Sequence, residues 1–199
     1  NNIDITLDKN GRCILAASTH SGEDEIIINA FKDLKQKYND LKLIIAPRHL
    51  TRLNDVTCII TKSGFSYGLR TQNANLIDND ILVLDTMGEL SKIFSFADIS
   101  FIGGSFNHTG GHNPLESVIF NKPVISGPSV HNFKDIYSII TNAHAGFVVG
   151  SEAEFINIID KLLSDKEFYN KTVEACSNVF TSQQGALDFV LKKIQEILP

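Results

Sequence analysis

The sequence has no block of like charges, no long apolar run and no cysteine pattern, and each absence removes a class of protein. Its net charge is -5 and its pI is near 5.6. Without clustered Lys and Arg to neutralise phosphates, nucleic acid is not an expected partner. No apolar run reaches the ~18 residues of a membrane span, and the first residues do not read as a signal peptide. Attachment to a membrane surface stays open. The three cysteines, Cys13, Cys58 and Cys176, lie far apart and show no metal spacing. They predict reduced, buried thiols in a cytosolic protein rather than a disulfide framework. GxGxxG and GxxxxGK[ST] are missing too, and with them the usual dinucleotide and ATP fingerprints.

What is present suits a folded globular chain: 199 residues, 43% hydrophobic and 21% charged. Short apolar runs alternate with helical patterns throughout. "CILAAS" (13–18), "LKLIIAP" (41–47), "ILVLDT" (81–86), "ISFIGGS" (99–105), "KPVISGP" (122–128) and "GFVVG" (146–150) read as strands. Most are continuously apolar, as parallel strands covered on both faces are. "FSYGLRT" (65–71) is more polar, which places it nearer a sheet edge. In "EDEIIINAFKDLKQKY", Ile27, Phe31, Leu34 and Tyr38 form a helical stripe, with acids in the first turn where the dipole favours them. "SEAEFINIIDKLLSD" opens on a capping box, Ser151 and Glu154, and carries the stripe Phe155, Ile158, Ile159, Leu162 and Leu163. A last helix, about 184–198, aligns Leu187, Val190, Leu191, Ile194 and Leu198. The alternation predicts one Rossmann-like, doubly wound α/β domain with a parallel sheet.

In such sheets ligands sit beyond the carboxyl ends of the strands. That rule selects the loops "STHSGEDE" (18–25), "APRHLTR" (46–52), "DTMGEL" (85–90) and "GGSFNHTGGHNPLES" (103–117). Each has two readings. Asn113, Pro114 and Glu116 suit a helix start, with Asn as cap, Pro in the first turn and Glu at N3. The same features, behind Gly110 and Gly111, suit an anion at a helix N-terminus, with Glu116 on ribose hydroxyls. Thr86 and Glu89 have capping-box spacing, while Gly88 is an odd residue for a first helical turn. Arg48 at a strand end is either a solvated charge or a fork for phosphate or carboxylate. His108 and His112 are four apart, but their loop is too glycine-rich to set that spacing on a helix, and no third ligand is evident. His20 reads as a hydrogen-bonding residue rather than a base.

Taken together, "AASTHSGEDE", "APRH", "DTMGEL", "ADISFIGGS", "GGHNPLE", "KPVISGP" and Asn132–Phe133 occur in this order. They resemble the C-terminal half of the 3-deoxy-D-manno-octulosonic acid (Kdo) transferases of lipopolysaccharide synthesis, over nearly the whole chain. The resemblance implies a GT-B architecture, of which residues 1–199 would be the C-terminal, CMP-Kdo donor-binding domain. The acceptor domain, which receives the lipid A precursor and carries a glutamate general base, would lie outside this chain. The chain would then hold no catalytic residue, bind CMP and be inactive alone. No metal and no cofactor are implied, and transfer inverts the anomeric centre. The whole enzyme would work on the cytoplasmic face of the bacterial inner membrane and meet that surface only as the whole. By resemblance the donor contacts are Pro47 and Arg48; Met87, Gly88 and Glu89; and Gly111, Asn113, Pro114, Leu115 and Glu116. Ser21, Ser117 and "FNHT" (106–109) depart from the family pattern and leave the role of the 18–25 loop less defined. The alternatives are another GT-B nucleotide-sugar enzyme, such as a UDP-sugar transferase or epimerase, or a non-enzymatic α/β binding module.

Overall fold

The computed structural model describes Ile5 and residues 11–197, with side chains described through Ser182. Its strands are β1 (Arg12–Thr19), β2 (Leu41–Pro47), β3 (Tyr67–Leu69), β4 (Ile81–Val83), β5 (Ile99–Ile102), β6 (Val124–Ser126) and β7 (Gly146–Val148). They form one parallel sheet in the order β3-β4-β2-β1-β5-β6-β7. Every expected strand is there, and the polar run at 65–71 supplies β3 at one edge of the sheet.

The helices are α1 (Glu23–Lys37), α2 (Leu53–Ser63), α3 (Leu90–Ile93), α4 (Leu115–Val118), α5 (Lys134–Asn142), α6 (Glu152–Ser164) and α7 (Lys166–Ile197). They cover both faces, which is why the central strands need no polar side. Alternate residues of each strand feed opposite cores, following the two-residue strand period. Ile14, Ala16, Leu43, Ile45 and Phe101 meet Ile27 and Phe31 of α1, Val56 and Ile60 of α2, and Phe155 and Ile159 of α6. Leu15, Ala17, Ile44 and Ile102 meet Ile93 of α3, Val118 of α4, Ile140 of α5 and Cys176 of α7. A side chain such as Phe31, fully buried, contributes roughly 1.5–3 kcal/mol by leaving water.

Local signals at α6 hold with one change. Ser151 Oγ accepts the Glu154 N–H at 3.2 Å, while Glu154 Oε2 accepts from Gly150 N–H at 2.7 Å, one residue before the cap. Two expectations need correction. The final helix begins at Lys166 rather than near 184, as one helix to Ile197. The side chains of its expected stripe (Leu187, Val190, Leu191, Ile194, Leu198) lie outside the described residues. Cys13 and Cys176 are buried as expected, but Cys58 is exposed. It sits midway between Val56 and Ile60, the buried residues of α2, and therefore points from the opposite face.

The sheet order positions the site. The chain leaves β1 toward β2 on one side and returns to β5 on the other. The loops after β1 and β5 therefore diverge and leave a crevice at the carboxyl edge, the place where such sheets hold ligands.

Candidate functional site

Two acids at the start of α1 fasten the loops of that edge together. Glu23 is buried, and its carboxylate accepts four backbone N–H groups. Oε2 takes those of His20 and Gly104, both at 2.8 Å, and Oε1 takes those of Ser105 at 2.8 Å and Phe106 at 2.9 Å. One side chain thus joins the loop after β1 to the loop after β5, some eighty residues on. Asp24, also buried, accepts the Thr19 hydroxyl at 2.6 Å and pairs with Arg52. Arg52 in turn donates to Thr19 O at 3.1 Å, which ties in the loop after β2. The dipole argument explained acids at this helix start but not their burial. The available signal was their place directly after a strand, at the ligand edge of the sheet.

A histidine pair spans the crevice. His20 Nε2 and His112 Nε2 are 2.8 Å apart, with the rings stacked at 5.1 Å and 21°. His49 stands edge-on to His20 at 5.8 Å. One nitrogen of the pair must carry a hydrogen and the other must not. Burial pushes His112 down to about 4, helped by His20, Arg48 and His49. Burial also lowers His20; Glu23 opposes this, and His49, Arg52 and Arg48 add to it. Both shifts favour the neutral rings. His112 therefore finds its partner 92 residues away, not in His108, and His20 is the hydrogen-bonding residue its sequence context suggested.

Four of the expected site residues converge. Pro47, Arg48, Met87 and Gly88 line a pocket of about 100 Å³ with Ser18 and Thr86. Pro47 ends β2 and is buried, whereas Arg48 is exposed, its N–H held by Thr19 O at 3.0 Å. Met87 is 76% exposed, an unusual position for a large apolar side chain. Gly88 has φ +82 and open space above it. It precedes α3, which starts at Leu90, so the left-handed backbone accounts for the glycine. Thr86 and Glu89 do not form a capping box: the Thr86 hydroxyl donates to Glu89 Oε2, which also faces Arg70 Nε at 3.4 Å. Arg70 had not been expected here. Its Nε is buried and has no hydrogen-bond partner, so it acts through charge on the carboxylate.

The remaining residues sit in the loop after β5. This loop folds back on itself, with Gly111 N–H on Gly104 O and His112 N–H on Gly103 O. Gly110 and Gly111 take φ of +96 and +78, and a Cβ at Gly110 would come within 2.5 Å of His131. The paired glycines thus serve the turn and its packing. Asn113 Oδ1 accepts the Leu115 N–H at 3.1 Å, but from one residue outside the helix, whose N-cap position falls on Pro114 rather than on Asn113 as expected. Pro114 is buried and Leu115 packs on the core. The helix they open is only four residues long, and its dipole is correspondingly small. Glu116 does not reach back as a capping box would. Among the described residues it makes no hydrogen bond; it is half-buried near Arg48, and burial raises its pKa while Arg48 opposes the rise. Of the three departures from the family pattern, Ser117 is absorbed by the fold: its hydroxyl donates to Lys122 O at 3.1 Å. A wider hollow of about 490 Å³ between α5 and β7 holds none of the expected residues.

A doubly wound parallel sheet whose loops bring a strand-end Pro-Arg against a Met-Gly turn and a carboxylate defines the class, a Rossmann-like domain of the GT-B fold. Residues 22–178 match the glycosyl transferases group 1 family, and the chain belongs to it. It is 37% identical over 97% of its length to a 3-deoxy-D-manno-octulosonic acid transferase of Haemophilus influenzae, and 36% identical over 79% to that of Aquifex aeolicus. It spans 46% and 43% of those proteins, less than half of each. It is also similar in structure to the C-terminal CMP-Kdo binding domain of WaaA from Acinetobacter baumannii. That match has a TM-score of 0.82 and 26% identity, and covers 86% of this chain and 90% of that one.

Proposed function

We propose that this chain is the donor-binding domain of a Kdo transferase, which moves Kdo from CMP-Kdo to a lipid A precursor with inversion. The observation that carries the reading is the meeting of Pro47-Arg48 with Met87-Gly88 around one pocket, with Glu116 close to Arg48. The likeness to a CMP-Kdo binding domain over almost its full length supports it.

Each residue has a role its chemistry suits. Exposed Met87 offers apolar cover to the base, and the open backbone at Gly88 lets a ring approach closely. Glu116, unpartnered and half-buried, accepts the ribose hydroxyls. Arg48 meets the phosphate or the sugar carboxylate and offsets the charge that grows on CMP as it leaves. Glu89 is held by Thr86 and Arg70 and sets the shape of the Met-Gly turn. Asn113 and Gly111 shape the loop that carries Glu116, with Pro114 and Leu115 anchoring it to the core.

A pocket of about 100 Å³ is well below the ~300 Å³ at which ligand sites usually begin. It takes part of a nucleotide, and a facing acceptor domain supplies the rest of the enclosure together with the general base. On its own the chain therefore binds CMP weakly and transfers no Kdo. The whole enzyme acts on the cytoplasmic face of the inner membrane, where the acceptor lies. Calorimetry with CMP, UMP, UDP and AMP tests the reading: CMP should bind best, and Arg48→Ala should weaken it. A preference for UDP would overturn the assignment in favour of a UDP-sugar enzyme.

A further inference from the structure

We propose that His20 and His112, beside Arg48, form a proton-coupled subsite for an anionic oxygen group of the donor, its phosphate or its sugar carboxylate. The inference rests on the donor-binding reading above and adds a ligand role for two residues that reading leaves unused.

Position comes first. The pair bridges the loops after β1 and β5, on the two sides of the crevice that the sheet order opens. Glu23 holds both loops by four N–H groups, so the spacing of the two rings is built in. Tyr137 adds to this by donating to His112 O at 3.3 Å.

Charge comes second. The groups facing the pair are Arg48 and His49 from the loop after β2, Arg52 before α2, and Glu23 at the start of α1. Glu23 is occupied by backbone donors, and Arg52 is neutralised by Asp24. Among the described residues the guanidinium of Arg48 makes no hydrogen bond or ion pair, and neither Nδ1 of the pair has a partner. Arg48 acts electrostatically on Glu116, which makes no hydrogen bond of its own and forms no ion pair with it among the described residues. Basic groups thus converge on the crevice without a matching anion.

Two neutral imidazoles sharing one hydrogen bond can accept a proton without losing that bond: N–H···N becomes N–H⁺···N, and the proton comes from water. Burial and the neighbouring cations resist this in the free protein. A bound anionic oxygen reverses the balance, because an opposite charge within reach favours the protonated form. The proton then spreads positive charge where CMP departs, beyond what Arg48 supplies alone.

The test is calorimetry of CMP, free Kdo and cytidine in buffers of different ionisation enthalpy, which counts protons taken up per ligand. His112→Gln and His20→Gln keep a hydrogen-bonding amide but cannot take a proton. Either variant serves if the other does not fold, and thermal unfolding reports which do. Wild type should take up more protons than the variants, and its affinity should rise from about pH 8 to about pH 6 by up to ~10-fold per unit, the limit for one coupled proton. The phosphate of CMP titrates near ~6 by itself, but equally against each protein, so it cancels in the difference. Glu116, its pKa raised, acts in the opposite direction as pH falls and also cancels. Excess uptake with CMP assigns the subsite to phosphate, and excess with Kdo alone assigns it to carboxylate. Equal uptake in wild type and variants, with CMP still bound, overturns the inference and leaves the donor reading standing. The same excess with cytidine, which has no anion, also overturns it. Failure of both CMP and Kdo to bind overturns the donor reading and this inference with it.

Discussion

Glu23 and Glu116 lie on the same edge of the sheet and have opposite environments. Glu23 is buried and accepts four backbone N–H groups, so it has no acceptor capacity aimed at solvent. Glu116 is half-buried, lacks any hydrogen bond among the described residues, and is pushed upward in pKa by its own burial. A carboxylate that the fold satisfies is part of the fold. One that the fold half-desolvates and leaves unpaired costs stability in the free protein, and such a cost points to a ligand. The contrast separates a fastened base, made by Glu23, Asp24 and Arg52, from a receptive rim, made by Arg48, Met87 and Glu116.

The largest expected effect lies in the base. Glu23→Ala orphans four backbone N–H groups, those of Gly104 and Ser105 buried and those of His20 and Phe106 part-buried, and should cost about 3–5 kcal/mol, lowering Tm by roughly 6–20 °C in a chain of this size. Chemical denaturation measures it, and a cost below about 1 kcal/mol would break the distinction. Asp24→Asn comes next. It leaves the Arg52 guanidinium facing a neutral group in a buried position, which should cost about 3 kcal/mol.

In the rim the expectation inverts. Glu116→Ala should hold stability or raise it slightly, by about 0.5 kcal/mol or less, because it removes an unpaired carboxylate, yet weaken CMP by about 10- to 100-fold, the worth of hydrogen bonds to one charged acceptor. Paired unfolding and calorimetric curves would sharpen the comparison, since a stability loss without an affinity loss would move Glu116 to the base. The smallest effect belongs to Met87→Ala. With its side chain 76% exposed, stability should not change, and CMP should bind about two- to fivefold more weakly through lost apolar cover.

How much of this was legible in the sequence depends on how local the cause is. The inner strands announced themselves because a strand covered on both faces must be apolar at every position, and β3 because an edge tolerates polar residues. The cap at Ser151 was legible because its partner, Glu154, is three residues away. Asn113 accepts an N–H at the helix start as its neighbours promised, but the cap itself falls one residue later, on Pro114. The helix that follows, α4, stops after one turn, where Lys122 N–H and the Ser117 hydroxyl close the chain back on itself. The glycines at 110 and 111 suggested a ligand beneath them; the structure fills the space at Gly110 with His131 and Asn132, and that at Gly111 with Ser129, Val130 and Tyr137.

The non-local contacts left no trace in the pattern. Nothing in the spacing of His20 and His112 says they touch, and a nearer histidine, His108, offered a false partner. Nothing at Glu23 says that its acceptors are filled from residues 104–106.

By itself, then, the sequence determined the layered α/β class, the edge on which a site must lie and the loops that could form it, because these follow from periodicity and chain order. Tertiary structure alone decided which acid is a rivet and which is free, and which histidines share a proton. Those outcomes depend on burial and on hydrogen bonds between segments eighty or more residues apart, and no local pattern encodes them.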